Sequence, residues 1–210
     1  MSNAEELTQL RLDLDDTITY GTKRDSVSLA KHALKVALEK GLPGEARYFK
    51  GQIEMLKNNF TAAIEHFDEA IKYNSLDGAA YNDRALCMVE LGIIDEALHY
   101  FDKGIEVEPD FATIHHNKGW LLNNIGRHTE AIKCFQQALG LEPGRPVTYD
   151  NLADAFFNLG RHKEALKSYK KVLELLKPGA CRSIRAQIVK RVREIERRMK
   201  NADKNYRVEK

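Results

Sequence analysis

Apolar residues recur at three- and four-residue steps in blocks about one short helix long, separated by brief polar or glycine-bearing breaks. Leu7, Leu10, Leu14 and Ile18 form a first stripe, and Val27, Ala30, Leu34 and Ala37 form a second after Asp25. At the far end Ile184, Ile188, Val192, Ile195 and Met199 make another, the pattern of an amphipathic helix with one face turned to a core. Between these ends the sequence overlays itself at a shift of 34 residues. Ala63, Ala97, Ala131 and Ala165 coincide, as do Phe67, Phe101, Phe135 and Tyr169 one helical turn later. Gly92, Gly126 and Gly160 keep the same period; Pro109 and Pro143 repeat, and Pro178 follows one residue late.

Each period predicts two helices. In the third, Ile114 to Ile125 carries near-helical apolar spacing, Gly126 breaks it, Thr129 is placed to cap a second helix, and Ala131 to Leu141 runs on until Pro143. Small residues at Gly51, Ala85, Gly119 and Ala153 on the first helix, and the alanine series on the second, mark places where two helix axes can approach closely. The predicted layout is a degenerate helix pair over 1–43 and repeats over 44–77, 78–111, 112–145 and 146–179. A basic capping helix over 180–200 and a frayed polar tail over 201–210 complete it. The first repeat is the loosest, with Asn58 at the turn glycine and Ser75 at the proline.

The run Tyr81, Ala85, Gly92, Ala97, Phe101, Pro109, and after it Gly119, Gly126, Ala131, Phe135, Ala138, Pro143, resembles the tetratricopeptide repeat. That resemblance covers about two thirds of the chain. It implies an all-α fold, a right-handed superhelical solenoid of antiparallel helix hairpins with a C-terminal capping helix. It also implies a non-catalytic protein-protein interaction scaffold whose first helices line a concave peptide groove. Carried onto this sequence, the peptide-binding positions are Tyr48, Phe49 and Gln52, then Asn82, Asp83, Leu86 and Glu90. His116, Asn117, Trp120 and Asn124 follow, then Asp150, Asn151, Asp154 and Asn158. Lys50, Arg84 and Lys118 replace a frequent leucine of the motif, with stems able to pack while their charges reach water.

Asn117 and Asn151 lie one period apart, and an amide there can both donate to and accept from an extended peptide backbone, or equally satisfy itself within the wall. Glu45, Asp83, Glu90, Asp150 and Asp154 fall on the inferred groove without a Lys or Arg, which favours a neutral to basic partner; the alternative is solvated surface acids. Trp120, Tyr48, Phe49 and Phe157 are candidate apolar anchors, Phe157 being the one best suited to a core position instead. The residues matching the clamp for acidic chaperone tails are Tyr48 and Gln52, Asp83, then Thr113 and Asn117; only Asn117 agrees, so no carboxylate clamp is expected.

Composition narrows the remaining classes. With 33 Lys and Arg against 31 Asp and Glu, 43% hydrophobic and 30% charged residues, the 210-residue chain is an ordinary folded protein without an overall bias toward nucleic acid or membrane. Cys87, Cys134 and Cys181 lack CxxC spacing, the acidic N-terminus is unlike a signal peptide, and a cytoplasmic location is expected. His115 and His116 diverge by about 100° on a helix and make a poor metal pair, and His128 and His162, one repeat apart, suit packing between helices. No phosphate loop, HExxH or nucleophile elbow is present, so neither catalysis nor a cofactor is expected. The basic C-terminal helix supports two alternatives: nucleic-acid association, or self-association through an acidic groove.

Overall fold

The computed structural model describes residues 3–176 and 182–208, with Pro178 and Cys181 outside them. The described residues form eleven α-helices. They are α1 (Asn3–Tyr20), α2 (Lys23–Glu39), α3 (Pro43–Leu56), α4 (Phe60–Tyr73), α5 (Gly78–Glu90) and α6 (Ile94–Val107), followed by α7 (Ala112–Asn124), α8 (His128–Leu141), α9 (Pro146–Asn158), α10 (His162–Leu175) and α11 (Arg182–Val208). Two compact units divide them, residues 1–109 with α1–α6 and residues 110–210 with α7–α11.

Within each unit consecutive helices fold into antiparallel hairpins, and one turn ends the first helix of each repeat, α3, α5, α7 and α9. Asn58, Gly92, Gly126 and Gly160 adopt left-handed backbone with φ of 67°, 76°, 82° and 71°. The residue after each donates its N–H to a carbonyl five residues back: Asn59 to Glu54, Ile93 to Met88, Arg127 to Leu122 and Arg161 to Phe156, at 2.8–2.9 Å. This six-to-one bond closes the helix end and satisfies carbonyls that the helix leaves without partners. Asn58 therefore takes the part of the glycine it replaces, because a short amide side chain tolerates this conformation better than most.

The next determinant is the contact between small and aromatic residues inside each hairpin. A Cβ on Gly51 would stand 2.6 Å from the Phe67 ring, and one on Gly119 2.9 Å from Phe135. At the equivalent places Ala85 and Ala153 are fully buried, as are Phe101 and, almost wholly, Tyr169. Burying each ring is worth about 1.5–3 kcal/mol to its hairpin.

Several local expectations change. Thr129 lies inside the first turn of α8 and does not cap it; the helix begins at His128, and Arg127 pairs with Glu130 across that end. Arg84 is buried, and its charge reaches Asp68 at 2.6 Å and the face of Tyr100 at 3.6 Å, not water. Ile18 and Ile184, counted in the terminal stripes, are exposed. The helix α11 does not stop at Lys200 but continues to Val208.

Candidate functional site

In the first unit, the apolar stripe of α1 buries Leu7, Leu10 and Leu14 in one cluster with Tyr48 and Phe49 of α3. That seats Arg11, on the flank of the same stripe, over the start of α3 and α5. Its Nε and Nη2 donate to Glu45 at 3.1 and 3.0 Å, and its Nη1 and Nη2 donate to Asp77 at 3.0 and 2.7 Å. The guanidinium also lies 3.7 Å from the Tyr48 ring centroid. A planar fork suits two carboxylates and an aromatic face at once.

Beneath it is a buried polar cluster. The Tyr48 hydroxyl donates to Asp83 Oδ2 at 2.9 Å, Asn82 donates to Asp83 Oδ1 at 2.9 Å, and Gln52 donates to both Tyr48 and Asp83. Burial, then the nearby Asp15 charge, pushes the Asp83 carboxyl up to about 7 despite these donors. Gln52 Oε1 is buried without a partner among the described residues. Tyr48, Phe49, Gln52, Asn82 and Asp83, read from sequence as groove lining, are thus core residues in this unit. Leu86 is half-buried and Glu90 exposed.

In the second unit a cleft of about 790 Å³ opens between the ends of α7 and α9 and the face of α11. Asn123, Asn124, His128, Asp154, Phe157 and Asn158 line one side; Arg191, Glu194, Ile195 and Arg198 line the other. The helix α11 is held there by buried Ile188, Val192 and Ile195. From it Arg191 Nη1 donates to Asp154 at 2.8 Å and Asp150 at 3.5 Å, and the Tyr169 hydroxyl donates to Asp154. Burial and the neighbouring Asp154 raise the Asp150 carboxyl above its ordinary value. Arg198 bonds Glu194 at 2.7 Å with its guanidinium 5.3 Å from the Phe157 ring. His128 shares a 2.7 Å hydrogen bond with Asn123, and His162 packs its ring 5.5 Å from Phe157.

The structure brings Asn124, Asp154 and Asn158 together in this cleft. Asn117, Trp120 and Asn151 are half-buried on the same two helices without lining it, and Asp150 joins through Arg191. His116 is buried, its Nδ1 2.9 Å from the hydroxyl of fully buried Thr148. Phe157, the anchor expected to suit the core best, instead forms part of the cleft wall. The expectation of an acidic groove without basic residues fails on both units for one reason: a terminal helix supplies an arginine to the carboxylates. Arg11 is the lone basic residue of α1 and follows Leu7 by four and Leu10 by one, so its inward placement has a signal in the stripe itself. Arg191 likewise flanks its own stripe, three residues after Ile188 and four before Ile195.

The tetratricopeptide repeat family matches residues 23–77 and 57–103 in one form and 110–177 in another. No curated protein matches the sequence. Among solved structures, TTC0263, a thermophilic TPR protein in Thermus thermophilus, superimposes with a TM-score of 0.70 at 23% identity over 86% of this chain and 95% of that one. MamA (41-end) from Desulfovibrio magneticus RS-1 gives 0.58 at 18% identity over 80% and 94%. YrrB, a TPR protein with an unusual peptide-binding site, gives 0.57 at 16% identity over 89% and 98%. With the repeat period, the recurring left-handed turns and the family matches across both units in agreement, the chain belongs to the tetratricopeptide repeat family.

Proposed function

We propose that the chain is a non-catalytic scaffold that holds an extended segment of a partner protein, and that the second unit's cleft receives it. The observation that carries this reading is the cleft itself. Asn124 and Asn158, one repeat apart and both exposed, face the same space as the Phe157 ring. Amides at one repeat spacing offer paired donors and acceptors to a peptide backbone, and an aromatic wall offers apolar area for a side chain. Asn117 and Asn151 extend the same two helices by two turns, and Trp120 stands between Asn117 and Asn124 on α7. YrrB, a structural neighbour, has a peptide-binding site, which supports the general mode.

The charge preference is narrower than the bare sequence suggests. Asp150 and Asp154 already face Arg191, and Glu194 faces Arg198. A near-neutral segment therefore fits best. The test is an unbiased pull-down comparing the intact chain with an Asn124→Ala, Asn158→Ala variant and an Asn117→Ala, Asn151→Ala variant. Clients lost from either variant, with helicity unchanged, are expected; an identical client set for all three proteins would reject the cleft as the binding site.

A further inference from the structure

The near-zero overall charge conceals a division. Residues 1–109 carry 12 Lys and Arg against 20 Asp and Glu, whereas residues 110–210 carry 21 against 11. The two terminal helices concentrate this difference on their outer faces. On α1 the face opposite Leu7, Leu10 and Leu14 presents Glu5, Asp13 and Asp16, all exposed, around Leu12, which is 56% exposed. Its single cation, Arg11, is turned inward to Glu45 and Asp77. On α11 the arrangement is inverted. The face opposite Ile188, Val192 and Ile195 presents Arg182, Lys190, Arg193, Arg197 and Lys200, all exposed. None of these five has an ion-pair partner among the described residues, while Glu194 and Glu196, on the flanks, are matched by Arg198 and Lys170. At 1.5 Å per residue the basic stripe is about 27 Å long.

We infer that copies of this chain associate through these two surfaces, the acidic outer face of α1 on one copy meeting the basic outer face of α11 on another. The sign and form of the two faces carry the inference. Each is a single exposed helix face, each has expelled the opposite charge to its flank or interior, and each chain supplies one of either kind. Like surfaces repel, so the contact pairs an acidic patch on one copy with a basic patch on the other. The buried apolar side of α11 argues against a membrane as its occupant, since an amphipathic helix binds lipid through that side. The acidic repeat surface expected from the sequence to take this part is unsuited to it, because Arg11 and Arg191 already neutralise its carboxylates.

Sedimentation of the full chain tests this. Association beyond monomer is expected at low ionic strength and is lost at molar salt, because exposed charges are screened within a few ångströms there. Asp13→Lys, Asp16→Lys and Arg193→Glu, Arg197→Glu, all at exposed sites, should each give a folded monomer alone. Mixed in equal amounts they should associate again, because each then offers its partner the complementary face. A wild-type chain that stays monomeric at low salt overturns the inference, as does association that ignores both reversals. A monomer that binds a DNA or RNA oligonucleotide, with binding lost in Arg193→Glu, Arg197→Glu, would assign the stripe to phosphate instead. Association that persists in the Asn124→Ala, Asn158→Ala variant would separate this surface from the cleft.

Discussion

The Arg11 guanidinium stacks 3.7 Å from the centre of the Tyr48 ring while bonding the carboxylates of Glu45 and Asp77, residues 34 and 66 positions away in the chain. One side chain thereby ties α1 to the starts of α3 and α5. Arg11→Ala leaves Asp77 largely buried without its counter-charge and should cost about 2–4 kcal/mol. Arg11→Lys should recover less than half of that, since an ammonium cannot serve two carboxylates and a ring together. Urea unfolding followed by circular dichroism measures both; equal stability of the lysine variant and wild type would refute the role given to the fork.

Two buried groups give the units opposite responses to pH. Asp83 holds its proton up to about 7, so between pH 4 and 7 the folded first unit binds more protons than the unfolded chain, and its stability falls as pH rises through that window. Asp83→Asn should flatten this slope. In the second unit burial, and then the Arg145 charge, lowers His116 from 6.5 to about 4. The folded unit there binds fewer protons than the unfolded chain, so stability present above pH 6.5 is lost as pH falls through 4. Hydrogen exchange of amides in α3 and α5 against those in α7 and α9, at about pH 4.5 and 7, should show protection moving in opposite directions.

The left-handed turns predict a sign reversal between similar substitutions. Asn58→Gly should stabilise by a few tenths to about 1 kcal/mol, because glycine adopts this backbone without the steric cost that asparagine still bears. Gly92→Ala should destabilise by about 1 kcal/mol, and nothing lies within 4 Å of the new Cβ, so the loss is conformational alone. Thermal unfolding of the two variants checks both signs.

Inside the hairpins, Gly51→Ala should cost about 1–3 kcal/mol, since the Phe67 ring is packed on all sides and has little room to move. Ala85→Gly, at the equivalent place one repeat on, should cost about 1 kcal/mol through helix propensity and a small void above Phe101. A Gly51→Ala variant as stable as wild type would show that the ring is less confined than its contacts indicate.

The hairpins were legible because their determinants are local and repeated: a left-handed turn residue, a small residue and an aromatic ring recur at fixed spacing, and each acts within its own pair of helices. Asn58 was readable as a departure from the pattern, but only the backbone shows that it preserves the turn. The candidate sites were legible by position more than by role. Asp83 has the register of a surface acid, and nothing near it in sequence reveals that α1 will cover it. Arg191 lies 37 residues from Asp154 and joins it only once α11 has docked. Such long-range pairings escape a periodic reading because the terminal helices stand outside the period.

The single turn geometry shared by Asn58, Gly92, Gly126 and Gly160 also fixes the unit in which this chain can grow. Inserting or removing a whole stride of 34 residues at a hairpin boundary returns every turn, small residue and ring to its own register. A change of any other length inside a helix rotates the residues beyond it out of phase with their neighbours, about 100° for each residue added. Length variation within the helices is therefore quantised, and a duplicated hairpin would extend the surface while keeping its own turn, small residue and ring in register.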